Sequence, residues 1–241
     1  MFGIGFFIKS AAPVSVFIAI FLLGFLLVGC TSADAAYSKV HLVRLEFNET
    51  IANSVSSNSL ITELSLAAGY LGMCVLADGS KMCSTAKNAL DLAPYATISV
   101  GESSLSLVEV SKALRNVCHP RLLATSLALC LVLLLVMSWL ALPLVPGKVV
   151  VRRVGCGLAA LALMIWGLGA MLQHQAVAGA KSFSEAALLG LVIVAKGGRA
   201  EAMTWTAFAF LLASCLALGA ECFSQRSNKP ETTQQLKHES S

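Results

Sequence analysis

Charge is what this chain is short of. Only 12% of its 241 residues are Asp, Glu, Lys or Arg, against about a quarter in an ordinary soluble domain. The formal net charge of +4 is scattered along the chain, whereas a protein that tracks a phosphate backbone gathers its cations on one face. Nucleic acid is therefore not an expected partner. Signatures of catalysis are missing too: there is no P-loop, HExxH, CxxC or GxSxG, and no nucleophile stands near a base at telling spacing. His41, His119, His174 and His238 occur singly. No enzyme activity, catalytic residue, cofactor or metal-binding residue is expected.

What the chain has instead is long apolar runs. Its hydrophobic share is 57% and its mean hydropathy is +0.79, which points to the lipid bilayer as solvent. A hydrocarbon core of about 30 Å takes roughly 20 apolar residues in a helix. Four windows qualify, at 13–30, 122–142, 154–172 and 202–220, and none holds an ionisable Asp, Glu, Lys, Arg or His. The first window ends in Leu27-Val28-Gly29-Cys30, which reads like a lipoprotein cleavage box. It is longer than the usual signal-peptide core and is preceded only by Lys9, so a retained anchor is expected. Cleavage would leave three spans and a mature terminus at Cys30.

Orientation follows from the basic residues of the short connections. Lys148, Arg152 and Arg153 stand between the second and third spans with no acid beside them, placing that turn in the cytoplasm. The expected layout is a cytoplasmic N-terminus at 1–12, spans at 13–30 and 122–142 around an outer loop of 31–121, and a cytoplasmic turn at 143–153. A span at 154–172, an outer loop at 173–201, a span at 202–221 and a disordered cytoplasmic tail at 222–241 complete it. Asn48-Glu49-Thr50 is a glycosylation acceptor in the first outer loop, which agrees with this orientation.

Within that loop, Val43-Arg44-Leu45-Glu46-Phe47 alternates apolar and polar side chains, the period of a half-buried strand. Residues 53–59 are rich in Ser and Asn and read as a turn or excursion. A second strand is expected over Tyr70–Leu76, with Asp78-Gly79-Ser80 as the turn of a hairpin. Leu107, Val110, Leu114 and Val117 recur at steps of three and four, predicting an amphipathic helix that leads into the second span. In the second loop, residues 188–195 predict a strand that completes an outer sheet, a buried helical stub being the alternative. Gly155 with Ala159, and Ala209, Ala213 and Ala217, are expected packing seams between spans.

The eight cysteines divide by environment. Cys130, Cys156 and Cys215 lie in spans, where a thiol behaves as a small apolar group. Cys222 lies at the inner end of the fourth span, where thiols stay reduced. Cys74 and Cys83 flank a turn in an oxidising compartment, and a disulfide between them is expected. Cys30 and Cys118, both placed near the outer surface, are a second candidate pair.

Gly69-Tyr70-Leu71-Gly72-Met73-Cys74, followed by Cys83, resembles the glycine-and-cysteine signature of the claudin-like tetraspans. The form GYLGMCV, with Tyr70 and Leu71 where animal claudins carry a tryptophan, resembles the fungal family of calcium regulators and membrane-fusion proteins. The resemblance implies an all-α membrane tetraspan, a four-helix transmembrane bundle with a small extracellular β-sheet. It implies a factor-induced plasma-membrane protein regulating low-affinity calcium influx and fusion in mating or polarised growth. Its partners would be the bilayer, calcium, and calcium-channel subunits or other membrane proteins. The spans carry no carboxylates and the loops no EF-hand spacing, so regulation of calcium entry is expected rather than a selective pore. The alternative is a structural tetraspan that organises a cortical membrane domain or a cell contact.

Overall fold

The computed structural model describes residues 2–47, 64–77, 79–85, 88–100, 103–142, 147–187 and 192–227. Each apolar run forms a long helix: α1 (Phe2–Val28), α4 (Pro120–Ala141), α5 (Lys148–Ala187) and α6 (Gly198–Ser227). Two shorter helices belong to the first connection, α2 (Ala35–Ser38) and α3 (Leu107–Cys118). All four long helices are long and apolar enough to cross a membrane.

The long helices pack in a ring in which α1 touches α4 and α6, and α5 touches α4 and α6. Their buried seams explain the arrangement. On α1 the seam is Ala12, Val16, Ala19, Leu23 and Leu26; on α4 it is Leu123, Ser126, Cys130, Leu133 and Met137. Steps that alternate three and four keep one stripe facing the partner when helices cross at about 20°. Outward faces are apolar as well, with Phe17, Phe21, Leu135, Met164 and Leu216 exposed. A bundle apolar inside and out suits lipid rather than water.

The fourth seam differs from the expected one. Thr204, Ala207, Leu211, Ser214 and Leu218 are buried, whereas Ala209 and Ala213 of the expected stripe are exposed and Ala217 is partly buried against the core. Its true face is set by polar contacts that spacing of alanines does not reveal: Ser214 Oγ donates to Phe210 O at 2.8 Å and approaches Ala12 O of α1 at 3.4 Å. In α5, Gly155 and Ala159 are buried as expected, and a Cβ on Gly155 would lie against Val136 of α4.

Helix lengths also differ from the hydropathy windows. The third helix continues past residue 172 to Ala187, because Gln173, His174 and Gln175 end the apolar run but not the run of helix formers. The fourth runs on to Ser227, through the start of the stretch expected to be a disordered tail. Residues 228–241 lie outside the described ones.

At one end of the bundle the connections build an antiparallel sheet of order β4-β3-β2-β1-β7, from β1 (Val43–Phe47), β2 (Leu64–Ala68), β3 (Gly72–Ala77), β4 (Ser80–Thr85) and β7 (Val192–Lys196). A second, two-stranded sheet pairs β5 (Thr97–Val100) with β6 (Ser103–Ser106). A 3-10 helix spans Ala89–Tyr95. β1 pairs with β7 from Val43 opposite Lys196 to Phe47 opposite Val192, so both connections share one sheet. At the opposite end, Arg152 and Glu221 form a 3.4 Å ion pair between α5 and α6. Expectations at Asn48, at 53–59, at Asp78 and at 188–191 fall on residues outside the described ones.

Candidate functional site at the glycine motif

Gly69, Tyr70, Leu71 and Gly72 form the tight reversal between β2 and β3, closed by a hydrogen bond from Gly69 N to Gly72 O at 2.9 Å. Both glycines are buried, and their missing side chains have one purpose. A Cβ on Gly69 would run into the carbonyl of Gly29, and one on Gly72 into the carbonyl of Cys30. The motif is therefore a seat for the chain as it leaves α1, and glycine is needed because backbone meets backbone there. Gly29 is constrained in the same way from its other side, since a Cβ there would meet Val40 O.

The seated segment turns sharply. Cys30 has φ 60°, a left-handed conformation that costs a non-glycine residue about 1 kcal/mol or more. It is held by a hydrogen bond from Cys30 N to Tyr37 O at 3.0 Å and by the Cys30 thiol, which donates to Val40 O at 3.5 Å. Cys74 Sγ lies 3.7 Å from Cys30 O. Sheet, connector and helix exit thus meet at one point.

Cys74 and Cys83 are directly opposed on β3 and β4 and joined by a disulfide. Gly79, in the intervening turn, has φ 75°, which its missing Cβ tolerates. Cys30 and Cys118 are not joined: both are buried free thiols, the first engaged with Val40 O, the second pushed by burial to a pKa of about 11.

Tyr70 points from the motif into the bundle. It is 1% exposed, and its hydroxyl donates to Gln173 Oε1 of α5 at 2.9 Å. The same oxygen accepts from Thr204 Oγ1 of α6 at 3.0 Å. Trp166 Nε1 in turn donates to Thr204 O at 3.3 Å. Burial raises the Tyr70 pKa well above the ordinary phenol value, so the ring stays a neutral donor. This chain of contacts ties the motif to two long helices. Leu71, by contrast, is exposed.

Composition missed Gln173 and Thr204. Each is a polar residue near the end of an apolar run, which reads as interfacial until the structure shows Gln173 meeting Tyr70 and Thr204 meeting Gln173. Beside them, Glu201 Oε1 lies 3.5 Å from His174 Nδ1 and 3.8 Å from Lys196 Nζ. Among the described residues no three His, Cys, Asp or Glu side chains gather as a metal site.

The family model for the Ca2+ regulator and membrane fusion protein Fig1 matches residues 50–224. The chain belongs to the Fig1 family. Factor-induced gene 1 protein of Saccharomyces cerevisiae is 26% identical to it over 237 residues, covering 83% of this chain and 79% of that protein. The family match spans the motif, the disulfide and α3 to α6, so the seat under α1 lies within the part that defines a Fig1 chain. Four helices of this length and hydropathy, in a family described by membrane fusion, make this Fig1-family chain a multi-pass membrane protein.

Proposed function

We propose that this protein is a claudin-like tetraspan of the plasma membrane that regulates low-affinity calcium influx and membrane fusion during mating or polarised growth. The observation that carries the reading is the seat itself: a stapled sheet locked by Gly69 and Gly72 onto the exit of the first span, within a chain of the Fig1 family. Such a sheet presents a rigid surface beyond the bilayer, fixed relative to the helices below it. The protein acts without catalysis, by holding a membrane patch or assisting a calcium channel subunit or another membrane protein.

In this reading the sheet lies outside and both termini lie in the cytoplasm. Supporting it, every strand comes from the two connections assigned to the outside, and Arg152 with Glu221 marks the other end. Lys148, Arg152 and Arg153 fall on that other end, as the positive-inside bias requires. Trp139 and Trp205 are exposed near opposite ends of their helices, where interfacial aromatics collect. α1 packs against α4 and α6 as an integral fourth helix, which favours a retained anchor.

The test is calcium uptake and fusion efficiency in mating cells that lack the protein. Reduced influx with stalled fusion supports regulation, whereas altered cortical patches with normal influx and fusion supports a structural organiser. Re-expressing Gly72→Leu, with surface delivery checked in parallel, then asks whether the seat is required. Full function of a delivered Gly72→Leu protein would remove the motif from the mechanism.

A further inference from the structure

The sheet face that bears the disulfide opens onto a basin of about 600 Å³. Arg44 opposes Ala67, Ala67 opposes Cys74, and Leu76, two residues on, opposes Lys81, so these side chains share one face. The basin's cations come from three separate segments: Lys39 from the connector after α2, Arg44 and Lys81 from the sheet, and Arg199 from the first turn of α6, with the neutral His41 beside Lys39. No carboxylate lines it among the described residues.

Of these cations, Arg44 is already engaged, its Nε 2.9 Å from Glu46 Oε1 and its Nη2 donating to Ser65 Oγ at 3.3 Å. Lys39, Lys81 and Arg199 are exposed, and among the described residues none pairs with an acid. With Arg44 balanced by Glu46, which stands opposite Ser65 on this face, Lys39, Lys81 and Arg199 are the like charges left at the concavity, and together they raise its positive potential. Burial chiefly, and next the charge of Arg44, depress the pKa of His41, with a lesser contribution from Lys81 and against opposing effects of the Ser38 backbone and Glu46.

Two further features suit an anion there. The Ser38 hydroxyl on the basin wall is buried, with Ser38 only 5% exposed, and has no hydrogen-bond partner among the described residues. Gly198 opens α6, a helix of 30 residues, and a Cβ on it would meet open space. That leaves the positive end of the helix accessible from the basin.

We propose that this basin binds a phosphate-class oxyanion, with Lys39, Lys81 and Arg199 supplying charge and the α6 N-terminus supplying backbone donors. Three cations from three segments suit a multivalent oxyanion better than a single carboxylate, which one of them would neutralise. Arg199 stands at the end of an apolar helix, so the oxyanion can be the headgroup of an anionic phospholipid or a free polyphosphate. The assignment does not depend on a role in calcium entry or fusion.

The test uses the full chain in nanodiscs at fixed ionic strength. One arm titrates tripolyphosphate calorimetrically into phosphatidylcholine discs. The other measures thermal stabilisation on replacing part of the phosphatidylcholine by phosphatidic acid. Either response supports the site and identifies its source. Lys81→Gln/Arg199→Gln should weaken tripolyphosphate binding about tenfold or abolish the lipid response, while Lys81→Arg/Arg199→Lys retains it. Both side chains are exposed, so the unliganded melting temperature should hold; if it does not, Lys39→Gln alone gives the same comparison. Wild-type protein that responds to neither probe, or a charge-neutralised variant that responds equally, overturns the proposal.

Discussion

At Gly72 a methyl group has nowhere to go, because the space it would fill holds the carbonyl of Cys30. Gly157, on the exposed side of α5, has open space around it. Gly72→Ala should therefore destabilise the protein by about 1 to 3 kcal/mol through overpacking. Gly157→Ala should be neutral or stabilise by up to about 1 kcal/mol through helix propensity. Melting temperatures of the two variants in detergent check both signs. At His41 the consequence is pH dependence. Its pKa in the folded state lies below the ordinary imidazole value of 6.5, so the unfolded chain takes up the proton first as pH falls. The stability tied to neutral His41 is complete above about pH 6.5 and is lost as pH drops through the depressed folded value. Melting temperature should thus fall between about pH 7 and pH 5, and His41→Gln should flatten that fall. An unchanged slope would show that another group carries it.

Among the elements, the β3-β4 hairpin depends on its staple. Cys74→Ser with Cys83→Ser opens a short loop in the unfolded chain, and should cost about 2 to 3 kcal/mol, read as a lower melting temperature that reducing agent reproduces in the wild type. The face of α6 can be tested by contrast. Ala207 is 0% exposed and Ala209 is exposed, so Ala207→Leu should cost about 1 to 3 kcal/mol while Ala209→Leu leaves stability unchanged. The reverse ranking would restore the seam that small-residue spacing predicts. What could be read from sequence followed from clear periods. β1 alternates, the Gly79 turn marks its hairpin, and the stripe of α3 has helical spacing. In α3 that stripe is divided, Leu107 lying in the core while Val110, Leu114 and Val117 line an apolar groove of about 650 Å³ with α5. β2 was hidden because Leu64, Ser65, Leu66 and Ala68 are all buried, which erases alternation. β5 and β6 were hidden by their serines. The Tyr70-Gln173-Thr204 contact joins residues 103 and 31 positions apart, a distance that no local pattern spans.

For the molecule as a whole, the account places a sheet on one side of a membrane and both chain ends on the other. The two connections meet in a single sheet through β1 and β7, so they must share a side. The ion pair of Arg152 with Glu221 joins the start of α5 to the late turns of α6, so those two ends must share the opposite side. The Fig1 family is described by membrane fusion and calcium regulation, and the role proposed above needs a surface held at a fixed place over the bilayer. The seat at Gly69 and Gly72, the staple at Cys74 and Cys83 and the reach of Tyr70 into the bundle supply that rigidity. The most direct measurement is antibody access to an epitope inserted at the exposed Gly79 turn and to one fused after Ser241, in intact and in permeabilised cells. The account predicts that the turn epitope is stained in intact cells and the terminal one only after permeabilisation. A turn epitope that stays hidden until the membrane is opened would contradict it.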